Sequence, residues 1–147
     1  MSGLGLAASA ATVSGTVFTA WAVYVVLVEH PARLDSGATA GRAQFGPSYH
    51  RAAPWQASFA AIALVSGLAA AWQSARLAWL VGALAIGAAI PLTLTVIRPI
   101  TTRLLSGEPL GDAETLTLLR RWGRLHAVRT VLGALGLLLF LLALGAR

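Results

Sequence analysis

The sequence predicts an all-α fold: an integral membrane bundle of four antiparallel transmembrane helices, with both termini on the same side. Two observations indicate this. Of the 147 residues, 57% are hydrophobic and 11% are charged, whereas about a quarter of the residues in soluble domains are charged. Four apolar stretches also reach the roughly 20 residues that a helix needs to cross a hydrocarbon core. The length suits one domain, so residues 1–147 are expected to form a single membrane domain.

The predicted helices follow the apolar stretches and cover about 4–28, 54–72, 77–97 and 116–146. The first carries no charge and no basic segment before it, so it is not expected to be a cleaved signal peptide. Pro54 suits the first turn of the second helix. Pro91 lies inside the third helix and predicts a kink or a freed carbonyl near Gly87. Asp112 is typical of a helix N-cap and begins the amphipathic start of the fourth helix.

The segments between the helices predict the orientation. Residues 73–76 form a tight turn, whereas two long polar loops are predicted at about 31–53 and 99–115. Eight arginines lie on the side of these loops, and only Arg76 and Arg147 lie on the other. Because basic residues concentrate on the cytoplasmic side of a membrane protein, both loops are predicted to be cytoplasmic. Both termini would then lie outside the cytoplasm, in a protein of the cell membrane.

Composition also limits the partners. The chain has no cysteine, which excludes disulfides and thiolate metal sites. All eleven basic residues are arginines in segments that border the apolar stretches, and no basic groove with interleaved aromatics suggests a nucleic-acid binder. Membrane lipids and a lipophilic small-molecule substrate are the expected partners, and homo-oligomerisation stays open. No nucleophile elbow or phosphate loop indicates a soluble hydrolase.

Ionisable side chains inside a bilayer are costly and mark candidate functional sites. The chain has few, and they share the predicted cytoplasmic ends of the helices: Glu29 and His30 in the first, Arg98 in the third, His126 and Arg129 in the fourth. Trp122, His126 and Arg129 are spaced by four and three residues, so they share one helical face. The sequence therefore predicts a polar site near the inner leaflet.

Two kinds of chemistry fit these residues. His126 and Glu29 could act as an acid/base pair without a metal. Alternatively, Glu29, His30 and His126 could bind a metal with open positions, as in non-haem iron sites. Because neighbouring residues point about 100° apart on a helix, that site requires the first helix to unwind at Pro31.

Each of these residues also has a purely structural interpretation, in which it takes no part in any chemistry. Glu29 could simply pair with Arg129 or Arg98, and His30 could face lipid headgroups. The remaining basic residues on the cytoplasmic side are interpreted as topology determinants or headgroup contacts; these include Arg33, Arg42, Arg51, Arg120 and Arg121. In that case the polar residues would only fix helix packing.

Three segments resemble a known family when they occur in this order. Residues 29–34 read EHPARL, residues 91–93 and 98–99 read PLT and RP, and residues 119–130 read LRRWGRLHAVRT. Together they resemble the anthrone oxygenase-like family of small four-helix membrane proteins, over nearly the whole chain. The family's polar signature falls on Glu29, His30, His126 and Arg129. Thr101 stands where the family pattern would lead us to expect asparagine.

Fungal members of that family oxygenate anthrones to anthraquinones. The resemblance therefore implies an oxygenase or related redox enzyme that acts on a lipophilic aromatic substrate, anthrone-like or phenolic. In this hypothesis His126, assisted by Glu29, removes a proton or holds a metal that engages oxygen, and Arg129 or Arg98 stabilises the resulting anion. The predicted substrate-binding residues are Trp122, Arg98 and Tyr24.

Two alternatives remain open from the sequence. The chain could be a non-catalytic haem, quinone or metal carrier, with His30 and His126 on facing helices as haem ligands. It could also be a purely structural or lipid-interacting bundle. The cofactor is left open between a transition metal such as iron or copper, haem, and none.

Overall fold

The structure, a computed structural model, describes residues 3–145. In this range it contains no strand, and its four long helices are long and apolar enough to cross a membrane: α1 (Gly3–Asp35), α2 (Gly37–Ser74), α3 (Leu77–Leu105) and α4 (Asp112–Gly145). The predicted all-α, four-helix membrane fold is confirmed. Arg147 and the predicted last residue of the fourth helix, at 146, lie outside the described residues.

Both described ends of the chain lie beside the turn that joins α2 to α3. A Cβ atom on Gly3 would lie 3.2 Å from the side chain of Gln73. At the same end, Arg76 Nη1 donates a hydrogen bond of 2.8 Å to the carbonyl of Ala143. A cation there satisfies a carbonyl of the last turn of α4 and opposes the negative end of its dipole. The other end of the bundle, here called the arginine end, carries the α1–α2 and α3–α4 connections.

The segment predicted as a loop at about 31–53 is helical, which corrects the sequence interpretation. The chain turns at Gly37, whose φ of +83° suits glycine, and α2 then runs for 38 residues. Ala38, Gly41 and Phe45 are buried on one side of this segment. Spacings of three and four residues form a helical face. The polar composition of this segment led to the prediction of a loop, but the segment is a helix that is half-buried against its neighbours.

The second predicted loop, at about 99–115, is also mostly helical. α3 continues to Leu105 and α4 begins at Asp112, so the connection is confined to residues 106–111. Arg42 Nε donates a hydrogen bond of 3.0 Å to the carbonyl of Leu104 and so supports the end of α3. At 1.5 Å per residue, the 38 residues of α2 span about 57 Å, against about 30 Å of hydrocarbon. The arginine end therefore extends beyond the hydrocarbon layer.

Two of the helices contain a π-helical segment. These segments are Val25–Glu29 in α1 and Thr93–Ile97 in α3. Each directly precedes a residue that is followed by proline, namely His30 before Pro31 and Arg98 before Pro99. Proline has no N–H to donate to the carbonyl four residues earlier, and the turn before it widens. The His30 N–H accordingly donates to the carbonyl of Val25, and the Arg98 N–H to that of Thr93.

Pro91 also disturbs α3 where the sequence predicted. The α-helix Leu77–Gly87 is interrupted at Ala88 before it resumes as Ala89–Leu92. The side chain of Thr93 donates a 2.6 Å hydrogen bond to the carbonyl of Ala89. The hydroxyl and this carbonyl therefore satisfy each other within the helix.

Two apolar cores lie at different heights in the bundle. The first, beside the α2–α3 turn, is built around Phe140, whose ring lies against Gly67 and Gly82, while Gly82 in turn packs against Gly136; we call these four residues the Phe140 seam. A Cβ on Gly82 would lie 2.8 Å from the Phe140 ring and 2.9 Å from the Gly136 carbonyl. The second core lies at the arginine end and includes Phe45, Leu104 and Trp122. Small residues in the first core allow the close helix contacts that stabilise membrane bundles.

Candidate functional site

A cavity of about 120 Å³ is lined by residues from all four helices. Its wall is largely apolar, with Phe18, Val25 and Ala60 among the lining residues. The charged and imidazole groups that line it are Glu29, Arg33, His126 and Arg129. A cavity of roughly 150 Å³ accommodates benzene in another protein, so the enclosed space here is close to that of one aromatic ring. Small-molecule sites combine such apolar walls with a few polar groups.

A buried ion pair forms the wall of the cavity toward the arginine end. Arg33 Nη2 lies 2.5 Å from Glu29 Oε1, and the two side chains are 2% and 16% exposed. They are four residues apart, which places them on one helical face. Arg33 Nε also donates to Gln44 Oε1 at 2.5 Å, and the Ser48 hydroxyl donates to the Glu29 carboxylate. Gln44 Nε2 donates to the same carboxylate oxygen at 3.3 Å, so the carboxylate is held by one guanidinium, one hydroxyl and one amide.

This arrangement corrects two interpretations of the sequence. Glu29 pairs with Arg33, whereas Arg129 or Arg98 had been expected as its partner. Arg33 is buried, whereas it had been expected to face lipid headgroups. The cause is the helical extension of α1 and α2, because the two helices stay side by side there and enclose the guanidinium, which lies 5.2 Å from the ring centroid of Phe45.

His126 is buried on the α4 side of the cavity, with 2% of its surface exposed. Its ring stacks on Trp122, with centroids 4.8 Å apart and planes 18° apart. Neither ring nitrogen has a hydrogen-bond partner within residues 3–145. Buried polar atoms usually have a partner, so an imidazole with two unsatisfied nitrogens at a cavity wall is well suited to bind a ligand or exchange a proton with it.

Arg129 lies one turn deeper in the bundle. Its Nη2 donates a hydrogen bond of 2.9 Å to Gln56 Oε1, and its guanidinium lies 5.5 Å from the ring centroid of Phe18. Its Nε is buried and finds no partner among the residues that the structure describes. The guanidinium thus keeps one N–H for a ligand in the cavity.

Sequence reasoning missed three polar residues of α2 that complete the site. They are Gln44, Ser48 and Gln56, and their spacings of four and eight residues place them on one helical face. Because about 31–53 had been interpreted as a loop, this face was not recognised. Gln56 had a signal of its own, since it is the only side-chain amide in the predicted second helix, about 54–72.

Two residues of the predicted site, Tyr24 and Arg98, lie elsewhere, and so does Thr101. Tyr24 is 52% exposed, and Arg98 is exposed on α3; neither lines the cavity. Thr101, at the position where asparagine had been expected, is buried and donates to the carbonyl of Ile97 at 3.2 Å. It does not line the cavity either. Tyr24 and Arg98 are exposed because they lie on the outer faces of α1 and α3.

His30 is buried near the site but does not line the cavity. Its ring packs on Trp122 with centroids 5.5 Å apart. Within residues 3–145, no group of three His, Cys, Asp or Glu side chains is placed to hold a metal ion. The predicted ligand set of Glu29, His30 and His126 is thus not assembled, and the two imidazoles predicted to hold a haem do not face a common cavity.

Comparison with known proteins places this arrangement in a family. A family model described as anthrone oxygenase matches residues 45–139. The matched range contains Gln56, Trp122, His126 and Arg129. It begins after Glu29 and Arg33, so the ion pair on α1 lies outside it. No curated protein matches the chain, and no solved structure matches it.

Proposed function

The chain belongs to the anthrone oxygenase family, and from this we propose that it is a membrane-embedded oxygenase of a lipophilic aromatic substrate, an anthrone or a related phenol. The observation that carries the proposal is the buried His126, which lines the cavity and whose two ring nitrogens have no partner within residues 3–145. Four helices suited to a membrane surround that cavity. A substrate dissolved in lipid could therefore reach it without passing through water.

The proposed reaction converts an anthrone and O₂ into an anthraquinone and water. Removal of a proton from the methylene carbon of the central ring leaves an anion that is delocalised onto the carbonyl oxygen opposite. This anion is oxidised by O₂, which is the co-substrate, and a carbon–oxygen bond forms. The O–O bond then breaks: one oxygen atom remains as the new carbonyl, and the other leaves as water with the two methylene hydrogens.

His126 is the proposed base. A positioned general base contributes about 10²–10⁴-fold to a rate, and Trp122 holds the imidazole by stacking on it. The carboxylate of Glu29 is already engaged by Arg33 and Ser48. We therefore assign Glu29 a positioning role, in which it fixes Arg33 at one end of the cavity.

Arg129 is the proposed stabiliser of the anion. Its Nη2 is held by Gln56, while its Nε has no partner in the described part of the chain. A fixed cation near developing negative charge lowers the barrier, because it needs no reorganisation during the reaction. The hydrogen bond that Arg129 donates to Gln56 restrains the guanidinium in that position.

The size of the cavity suggests how a three-ring substrate would bind. The enclosed volume of about 120 Å³ suits one ring. The lining also includes Ala57 of α2 and Leu94 of α3, which are exposed on the outer surface of the bundle. We propose that the reacting part lies beside His126, while the rest of the substrate extends between α2 and α3 toward the lipid.

The test uses the full chain in lipid nanodiscs, with anthrone as substrate. Anthraquinone absorbance and oxygen consumption would be followed against protein-free nanodiscs, because anthrones also oxidise spontaneously. With ¹⁸O₂, one labelled atom is expected in the product and the other in water. His126→Gln should lose the protein-dependent rate, while His50→Gln, which changes an exposed imidazole, should keep it. A wild-type rate equal to that of empty nanodiscs would refute the proposal, even if the protein bound anthraquinone saturably.

A further inference from the structure

A second depression lies on the outer surface of the arginine end, between α1 and α4. It is lined by His30, Leu34, Arg120, Gly123, Arg124 and Ala127, and we call it the α1–α4 groove. It shares no lining residue with the cavity. The proposed oxidation makes no use of these side chains, so the groove requires a separate explanation.

Two arginines on the rim of the groove lack a counter-charge. Arg120 and Arg124 are four residues apart on α4, both exposed. Within residues 3–145, the ion pairs join Arg33 to Glu29 and Arg103 to two glutamates, and none involves either of the rim arginines. Like charges at this spacing destabilise a helix. An anion bound between them would remove that repulsion.

His30 provides an unused donor at the floor of the groove. Its side chain is 8% exposed, and its Nδ1 lies 3.3 Å from Arg33 Nη1. A guanidinium only donates hydrogen bonds, so Nδ1 accepts and the ring proton lies on Nε2. That Nε2 is buried without a partner in the described range. The ring reaches the groove because Gly123 has no side chain, since a Cβ there would overlap the imidazole.

The surface below the arginines is apolar. From Arg124 toward the end of α4, the exposed residues on the same helical face are aliphatic: Val128, Val131, Leu135, Leu138 and Leu142. At 1.5 Å per residue, this stripe continues for about 20 Å below the groove. Two cations at the edge of the hydrocarbon layer, followed by an aliphatic stripe, match the shape and polarity of a phospholipid.

We propose that the α1–α4 groove binds the phosphate of an acidic membrane phospholipid. Arg120 and Arg124 supply the charge, His30 Nε2 donates a hydrogen bond to a phosphate oxygen, and an acyl chain lies along the aliphatic stripe. Guanidinium groups bind phosphate through charge-assisted hydrogen bonds. The site would fix one lipid beside α4, the helix that carries His126.

Binding can be measured by native mass spectrometry of the full chain in detergent, titrated with phosphatidylglycerol. One tightly retained lipid per chain is expected for the wild type. The double variant Arg120→Gln/Arg124→Gln should bind about 30-fold more weakly, as expected for two arginines near an anionic lipid. The control variant Arg51→Gln/Arg98→Gln removes two exposed arginines on α2 and α3 and should bind within about twofold of the wild type.

Two results would overturn the proposal. An equal loss of affinity in the control variant would mean that the binding of phosphatidylglycerol depends only on the net charge of the protein. Inorganic phosphate that displaces the lipid at comparable concentration would mean that the groove is a site for free anions. Phosphatidylcholine in place of phosphatidylglycerol should be retained less well, because its headgroup is zwitterionic.

Discussion

The three histidines show how one residue type differs by its surroundings. His50 is exposed on α2, and His30 accepts a hydrogen bond from Arg33 and faces the α1–α4 groove. His126 alone lines the cavity, with both nitrogens unpartnered within residues 3–145. The sequence singled out His126 and Arg129 because charged and imidazole groups are rare in an apolar stretch, and both line the cavity.

At the scale of single residues, we expect Arg129 to act mainly in the transition state. Arg129→Met keeps an unbranched apolar stem and removes the charge, so kcat should fall about 100-fold while KM changes little. Steady-state kinetics in nanodiscs measure both constants. Arg51→Met, on the outer surface of α2 and away from both the cavity and the α1–α4 groove, serves as the control. A kcat within twofold of the wild type would contradict the assigned role.

The ion pair of Glu29 and Arg33 should contribute to stability. Glu29→Gln leaves the buried guanidinium without its carboxylate and is expected to lower the free energy of unfolding by about 3 kcal/mol. In Glu29→Gln/Arg33→Met the buried charge is also gone, and part of that loss should be recovered. Thermal unfolding in detergent, followed by tryptophan fluorescence, tests this. Losses that simply add in the double variant would show that the two side chains are not coupled.

At the scale of helices, the apolar parts were predictable and the polar extensions were not. Hydrophobic length alone identified four spans, and Pro91 predicted the interruption near Gly87 that occurs at Ala88. The residues at about 31–53 were misread because glycine, proline and arginine are typical of loops. Burial of Ala38, Gly41 and Phe45 against other helices overrides that local preference. Gln44 and Ser48 were missed for the same reason.

The close helix contacts of the Phe140 seam should be sensitive to a single methyl group. Gly82→Ala would place a Cβ 2.8 Å from the Phe140 ring and 2.9 Å from the Gly136 carbonyl, and such overpacking costs about 1–3 kcal/mol. We expect a lower midpoint of thermal unfolding. Gly111→Ala, where nothing lies within 4 Å of the added atom, should leave it nearly unchanged. Equal midpoints for the two variants would rule out tight packing at Gly82.

At the scale of the whole molecule, the arrangement of charge gives the bundle a direction. Arginines gather at one end, while Arg76 is the single arginine at the opposite end within residues 3–145. We propose that the arginine end is cytoplasmic and that the cavity opens toward the inner leaflet. The sequence predicted which residues share that end. It could not predict which of them touch, because the pairing of Glu29 with Arg33 requires α1 to stay helical through residues that had been interpreted as the start of a loop.

The orientation can be tested with single cysteines, since the chain has none of its own. Gln73→Cys lies at the α2–α3 turn, and Ser106→Cys lies in the α3–α4 connection; both positions are exposed. In intact cells, a membrane-impermeant maleimide should label Gln73→Cys, and Ser106→Cys should react only after lysis. The reverse labelling pattern would mean that the arginine end faces outward.

The separation of the Phe140 seam from the cavity bears on how such a protein can evolve. The tight contacts of the seam lie beside the α2–α3 turn, while the lining proposed to hold a substrate includes small side chains outside that core, such as Ala53 and Ala57. Changes in that lining leave the contacts of Gly82 and Phe140 untouched. New substrates can thus be acquired by changing the size or shape of side chains in the lining. The contacts of the Phe140 seam would continue to stabilise the bundle while this happens.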